Sequence, residues 1–231
     1  MIEDVTAITV CYNTKGLMKR AYESIRKFYP DMKMLIIDNS DRGNPCAEYV
    51  QSLTEEENVR VIKTGRNVGH GPGMNLGLRN CETKYALIFD SDIKLEKDCL
   101  PEMLKQMNDD IFGVGKIVHV GLDGNNGKPR FTNPKAMKYY AYYSKAKRSF
   151  TIPYLHPFFQ LINVEKYRKH KPYIHHGAPC LQTMFHIYEK QKSNKLLVNF
   201  PVDDYVLHEG RGTRRVYPEA LDSRKQQWQR V

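Results

Sequence analysis

The chain has 231 residues and a formal net charge of +10. That length suits one α/β domain with a sizeable core, and no run of roughly eighteen apolar residues exists to span a membrane. The acidic opening Met1-Ile2-Glu3-Asp4 lacks the basic-then-apolar pattern of a secretory leader, so an intracellular, cytoplasmic protein is expected.

Ile8-Thr9-Val10-Cys11-Tyr12 is a short β-branched run and predicts a buried first strand ending at Asn13-Thr14-Lys15-Gly16. Leu17, Ala21, Tyr22, Ile25 and Phe28 recur at helical spacing, and Pro30 ends that helix. Met34 to Asp38 is a second strand, apolar until its last residue. A turn-rich loop, Asn39 to Pro45, leads to a helix near residues 47–53. Val59 to Lys63 predicts a third strand. A Gly-rich segment from Gly65 to Gly77 leads into a helix ending near Asn80, and Tyr85 to Asp90 predicts a fourth strand. A helix near residues 101–107 then precedes a strand at 113–120. Gly121 to Pro134 reads as a mobile loop. A tyrosine cluster (Tyr139, Tyr140, Tyr142, Tyr143) follows, its spacing equally that of faces for stacking on a sugar or base and of the core and rim of an amphipathic segment. Phe158 to Asn163 predicts a strand, Pro179 opens a helix to about Lys190, and residues 198–206 form a last strand region before a basic tail.

Strands alternating with helices, and apolar almost throughout, predict a mostly parallel central sheet with helices on both faces. Such sheets bind ligands outside the carboxyl ends of their strands, where Asn13, Asp38 and Asp90 all fall. No linker or repeat divides the chain. A single domain is expected, with a donor half over about residues 1–110 and an acceptor half with the basic tail over about 111–231.

The five cysteines (Cys11, Cys46, Cys81, Cys99, Cys180) form no C-x-x-C pair, so free thiols are expected rather than a zinc site. The strongest chemical signal is Asp90-Ser91-Asp92 after five apolar residues. Two carboxylates one residue apart on a rigid strand end are hard oxygen ligands for Mn²⁺ or Mg²⁺. Such a cation neutralises the diphosphate that departs when a nucleotide-sugar bond breaks.

Five segments in order resemble the family 2 glycosyltransferases of the GT-A fold. They are Ile8–Asn13, Leu35–Ser40, Arg66–Gly69, Gly73–Gly77 and Ile88–Asp92. The resemblance covers about the first hundred residues. It implies that Cys11, Tyr12, Asn13 and Asp38 hold the nucleoside, with Asn67, Gly69 and Asn75 against the donor. It further implies that Asp90 and Ser91 sit at the donor, and that Asp90, Asp92 and a late histidine, His208, hold the metal. Arg211 and Arg214 are candidates to clamp the diphosphate.

The second half departs from the family pattern. Many members place Glu-Asp at the start of a late helix, whereas this chain has His175-His176-Gly177-Ala178-Pro179. His176, Asp203 and Asp204 are therefore alternative bases for an inverting reaction, and a retaining reaction needs none there. The expected acceptor is a saccharide or a lipid-linked one, with peripheral membrane contact through basic residues. The excess of Lys and Arg keeps nucleic acid as an alternative acceptor. A non-catalytic sugar-nucleotide binding protein is a further alternative. A nucleotidyltransferase fits poorly, because Thr14-Lys15-Gly16 is not the basic Gly-rich loop it would need.

Overall fold

A computed structural model describes residues 2–121, 151–173, 179–191 and 195–209. Seven strands form one sheet in the order β3-β2-β1-β4-β7-β6-β8. They are β1 (Val5–Cys11), β2 (Lys33–Asp38), β3 (Val59–Lys63), β4 (Tyr85–Asp90), β6 (Gly113–Gly121), β7 (Thr151–Asn163) and β8 (Leu197–Asn199). β3, β2, β1 and β4 are mutually parallel, while β7 runs antiparallel to both β4 and β6. A second, two-stranded sheet pairs β5 (Ile93–Leu95) with β9 (Val206–His208).

Each central strand is buried on both faces, so its alternate residues serve two cores. Ala7, Cys11, Ile36, Leu87 and Phe89 pack with α1 (Lys15–Phe28), α2 (Pro45–Ser52) and α4 (Leu100–Lys105) through Met18, Ile25, Val50 and Met103. Ile8, Leu35, Ile37 and Ile88 face α3 (His70–Arg79) and α6 (Leu181–Gln191) through Met74, Leu78, Met184 and Phe185. A short α5 (Val164–Arg168) follows β7. The mostly parallel sheet with helices on both faces is thus present. Among the described residues no helix is long and apolar enough to cross a membrane.

Several predicted elements shift. The Gly-rich stretch is not a loop ahead of a helix: Gly71, Gly73 and Gly77 lie within α3. A Cβ on Gly77 would stand 2.4 Å from Ile8 Cγ2, and one on Gly73 2.8 Å from Val10 Cγ1. The glycines let α3 lie directly on β1, and that packing outweighs their poor helix propensity. The helix expected from Pro179 starts at Leu181, with Pro179 and Cys180 in the preceding turn. The last strand region, 198–206, is two short strands in different sheets, separated by a 3₁₀ turn at Val202–Asp204. β7 begins earlier than the Phe158–Asn163 run suggested, because residues 151–155 pair with β6.

Candidate functional site

The strand order places the site. From β1 the chain moves outward to β2 and β3, then returns to β4 on the other side of β1. Connections leave in opposite directions between β1 and β4, which opens a crevice at their carboxyl ends. Asp90 pairs in register with Val10, and Asp38 with Cys11, so the two carboxylates end their strands on the same edge.

One side of the crevice is a shelf of knitted loops. Asn13 adopts φ 53°, a left-handed conformation that asparagine tolerates. Its amide Nδ2 donates to Asp41 Oδ2 at 2.6 Å, and its Oδ1 accepts from Asp41 N at 3.0 Å. Ser40 N donates to Asp38 Oδ1 at 2.9 Å, and Cys11 Sγ lies 3.7 Å from the same oxygen. A hydrogen bond to Cys46, then burial, pushes the Cys11 thiol up, so it stays a neutral donor there. Tyr12 Oη donates to Asp41 Oδ2 at 3.3 Å. Asn39 Nδ2 reaches Gly69 O at 3.2 Å, and Asn67 Oδ1 accepts from Gly69 N at 2.9 Å. Gly69, at φ 93°, then turns the chain into α3. Cys11, Tyr12, Asn13, Asp38, Asn67 and Gly69 are thereby brought together.

Asn75 has a different task. Its Nδ2 donates to Tyr173 O at 2.8 Å, and its Oδ1 accepts from Tyr173 N at 2.9 Å and from the Tyr167 hydroxyl. This buried amide ties Tyr167 and Tyr173 to α3.

The other side of the crevice holds Asp90, buried Ser91 and buried Asp92. β5 follows immediately, and its pairing with β9 sets His208 opposite Ile93. Glu209 N donates to Asp92 O at 3.1 Å, and Arg20 anchors Glu209 at 2.7 Å. His208 Nε2 consequently lies 3.3 Å from Asp92 Oδ1 and 3.7 Å from Asp90 Oδ2. One ligand atom from each of Asp90, Asp92 and His208 falls within 4.8 Å of the others. Phe158 stacks on the His208 ring at 4.7 Å and 11°, fixing its plane.

His70, on which sequence reasoning had settled no role, also reaches this cluster: its Nε2 is 3.1 Å from Asp90 Oδ1. That buried oxygen has no hydrogen bond aligned on it among the described residues, so the contact is a charge pairing. Burial would raise the Asp90 carboxyl, but the charge and contact of His70, with His208 and His156, hold it below the usual range. Burial opposes the charge on His70 and His208, yet the neighbouring carboxylates raise both imidazoles. Two converging carboxylates and an imidazole are a donor set that suits Mn²⁺ or Mg²⁺.

A cavity of about 510 Å³ adjoins His208, lined by Glu96, Lys116, His156, Phe158, Asp203 and Leu207 among others. A break in the β6–β7 register creates it. Gly115 pairs with Gln160 and Ile117 with Leu155, so His156 to Phe159 bulge opposite Lys116 alone. His156 Nδ1 accepts from Phe158 N at 3.4 Å. Burial pushes this imidazole down. Asp203 pairs with Lys116 at the cavity, whereas exposed Asp204 does not line it. His175, His176, Arg211, Arg214, Arg215, the 121–134 loop beyond Gly121 and the tyrosines at 139–143 lie outside the described residues.

A mostly parallel sheet with a carboxylate pair at its switch point, in which β7 runs against both neighbours, is of the GT-A class of folds. The family model for glycosyl transferase family 2 matches residues 6–171, and the chain belongs to that family. The poly-beta-1,6-N-acetyl-D-glucosamine synthase of Staphylococcus aureus (strain MSSA476) is 20% identical over 136 residues, covering 59% of this chain and 31% of that protein. Among solved structures, S. aureus TarS 1-349 in complex with UDP-GlcNAc superposes with a TM-score of 0.58 at 16% identity, over 87% of this chain and 57% of that one. The Pyrobaculum calidifontis mannosyltransferase PcManGT, in complex with GDP-Man and Mn²⁺, gives 0.55 at 16% identity over 86% and 57%. The chain thus spans about a third of the curated relatives it matches and little over half of these solved chains.

Proposed function

We propose that this chain transfers a sugar from a nucleoside diphosphate sugar to a hydroxyl of a saccharide or lipid-linked saccharide, using a divalent cation. The observation that carries this reading is the convergence of Asp90, Asp92 and His208 at the switch point. When bound there, Mn²⁺ or Mg²⁺ supplies Lewis-acid neutralisation of the departing diphosphate. Asp38, Asn13 and the Asn67–Gly69 turn form the nucleoside shelf. Its backbone is fixed before ligand arrives, which lowers the ordering cost of binding.

The cavity beside His208 is the acceptor site in this reading. Phe158 and Leu207 offer apolar surface, while Glu96, Asp203, Lys116 and His156 offer polar groups, a mixture that suits a sugar. Because Phe158 N occupies His156 Nδ1, the neutral ring carries its proton on Nε2 and donates rather than accepts. Of the carboxylates that line the cavity, Asp203 is the one held by Lys116, and we assign it as the base for an acceptor hydroxyl. Two carboxylates against one lysine disfavour a polyanion in the cavity, so a saccharide is favoured over nucleic acid.

The solved relatives hold different nucleotides, UDP in one and GDP in the other, so both donor classes belong in the test. With Mn²⁺ present, one UDP- or GDP-sugar should raise the unfolding temperature of the wild type and leave Asp92→Ala unmoved. A wild type stabilised by no donor, or a variant that responds equally, would sink the reading.

A further inference from the structure

His70 belongs to neither the shelf nor the metal ligands, yet the fold delivers it to Asp90. It is the first residue of α3, and the flush packing of Gly73 on Val10 and Gly77 on Ile8 sets where that helix starts. Val10 is also the register partner of Asp90. The same strand therefore fixes both ends of the contact.

We propose that His70 is a positioning residue for the cation site, bracing Asp90 through Oδ1 so that Oδ2 stays turned toward Asp92 and His208. This rests on the cation-site reading above. The two oxygens of Asp90 have divided partners: Oδ1 lies 3.1 Å from His70 Nε2, and Oδ2 lies 3.7 Å from His208 Nε2. Among the described residues no hydrogen bond is aligned on buried Oδ1, so the 3.1 Å pairing with His70 is the contact recorded against it. A carboxylate at the end of a strand rotates broadly about its last torsion unless one oxygen is held. His70 also comes from α3, whereas His208 comes from the β5–β9 ribbon. The brace is thus built independently of the ligand it serves.

Supporting groups of this kind set metal affinity by orienting the ligands they touch. His70→Ala should weaken Mn²⁺ binding roughly 10- to 100-fold. His70→Gln, which keeps an N–H donor on a side chain of similar reach, should recover much of that loss. The measurement is calorimetric titration of the full chain with MnCl₂, with and without a UDP- or GDP-sugar, alongside the unfolding temperature of each variant. Mn²⁺ affinity within twofold of wild type in His70→Ala, while Asp92→Ala loses binding, overturns the brace and leaves the cation site standing. Binding in His70→Gln as weak as in a folded His70→Ala also overturns it, because a polar group held against Oδ1 would then not be what matters. Absence of Mn²⁺ binding by the wild type under both conditions overturns the cation-site reading, and the brace with it.

Discussion

Replacing Gly77 by alanine tests whether α3 is placed by contact with β1. The added Cβ would stand 2.4 Å from Ile8 Cγ2 and 3.6 Å from Ile37 Cγ1, both on fully buried side chains. Carbon atoms settle at about 3.5–4.0 Å, so the first contact demands more than about 1 Å of separation. Ile8 Cγ2 hangs directly from a β-branched Cβ in a central strand and has little freedom to rotate away. Helix propensity favours alanine by about 1 kcal/mol, whereas overpacking costs about 1–3 kcal/mol, here toward the upper end. The clash wins, with a net loss of about 2 kcal/mol, or roughly 4–8 °C in unfolding temperature for a chain of this size. Gly16, in the first turn of α1, is the internal control because nothing lies within 4 Å of its added Cβ. Gly16→Ala should be neutral or stabilising by up to about 1 kcal/mol. Urea and thermal unfolding followed by circular dichroism read both variants. A Gly77→Ala protein as stable as the wild type would refute the contact argument.

Two further outcomes follow from buried polar groups. The Tyr29 hydroxyl donates to Asp98 Oδ1 at 2.6 Å and accepts from Cys99 N and Leu100 N at 3.1 and 3.0 Å, so it caps the start of α4. Burial and the Asp98 bond push its pKa far up, keeping the donor proton in place. Tyr29→Phe should lower the urea midpoint by the equivalent of about 1–3 kcal/mol without changing the slope, and an unmoved midpoint would contradict the cap. Burial first, then the charges of His186, Lys190 and Lys166, pushes His170 down to about 4 from 6.5. The unfolded chain therefore binds the extra proton between those values, and stability falls as pH drops from about 6.5 to 4. His170→Asn removes this contribution, so the stability difference between wild type and variant should shrink on acidification by on the order of 1–3 kcal/mol. A difference that stays constant over that range would rule the linkage out.

The first hundred residues were legible because their chemistry is local. A strand buried on both faces is a continuous apolar run, and its end is marked by the polar residue that stops it, as at Asp38 and Asp90. The carboxylate pair was readable for the same reason. His208 was reached through family resemblance; its local sequence does not reveal that β9 pairs with β5. The bonds of Asn75 to the backbone of Tyr173, 98 residues away, were not legible, because an asparagine in a Gly-rich stretch looks the same whatever it meets. The setting of His156 and Phe158 was not legible, because the bulge that carries them depends on how β7 registers against β6. The helical glycines were read as loop because propensity is local, whereas the closeness of α3 to β1 is a tertiary fact.

The sequence by itself determined the class of fold, the first four strands, and Asp90 and Asp92 as carboxylates at a strand end, since periodicity and residue type are written along the chain. Only the tertiary structure decided which groups share a site. Strand order put β1 beside β4 and opened the crevice, the β5–β9 ribbon delivered His208, and helix packing delivered His70. The physical reason is that hydrophobic burial acts residue by residue and leaves a local pattern. Convergence of side chains from elements more than a hundred residues apart depends on how whole elements pack, and no local stretch of sequence encodes that.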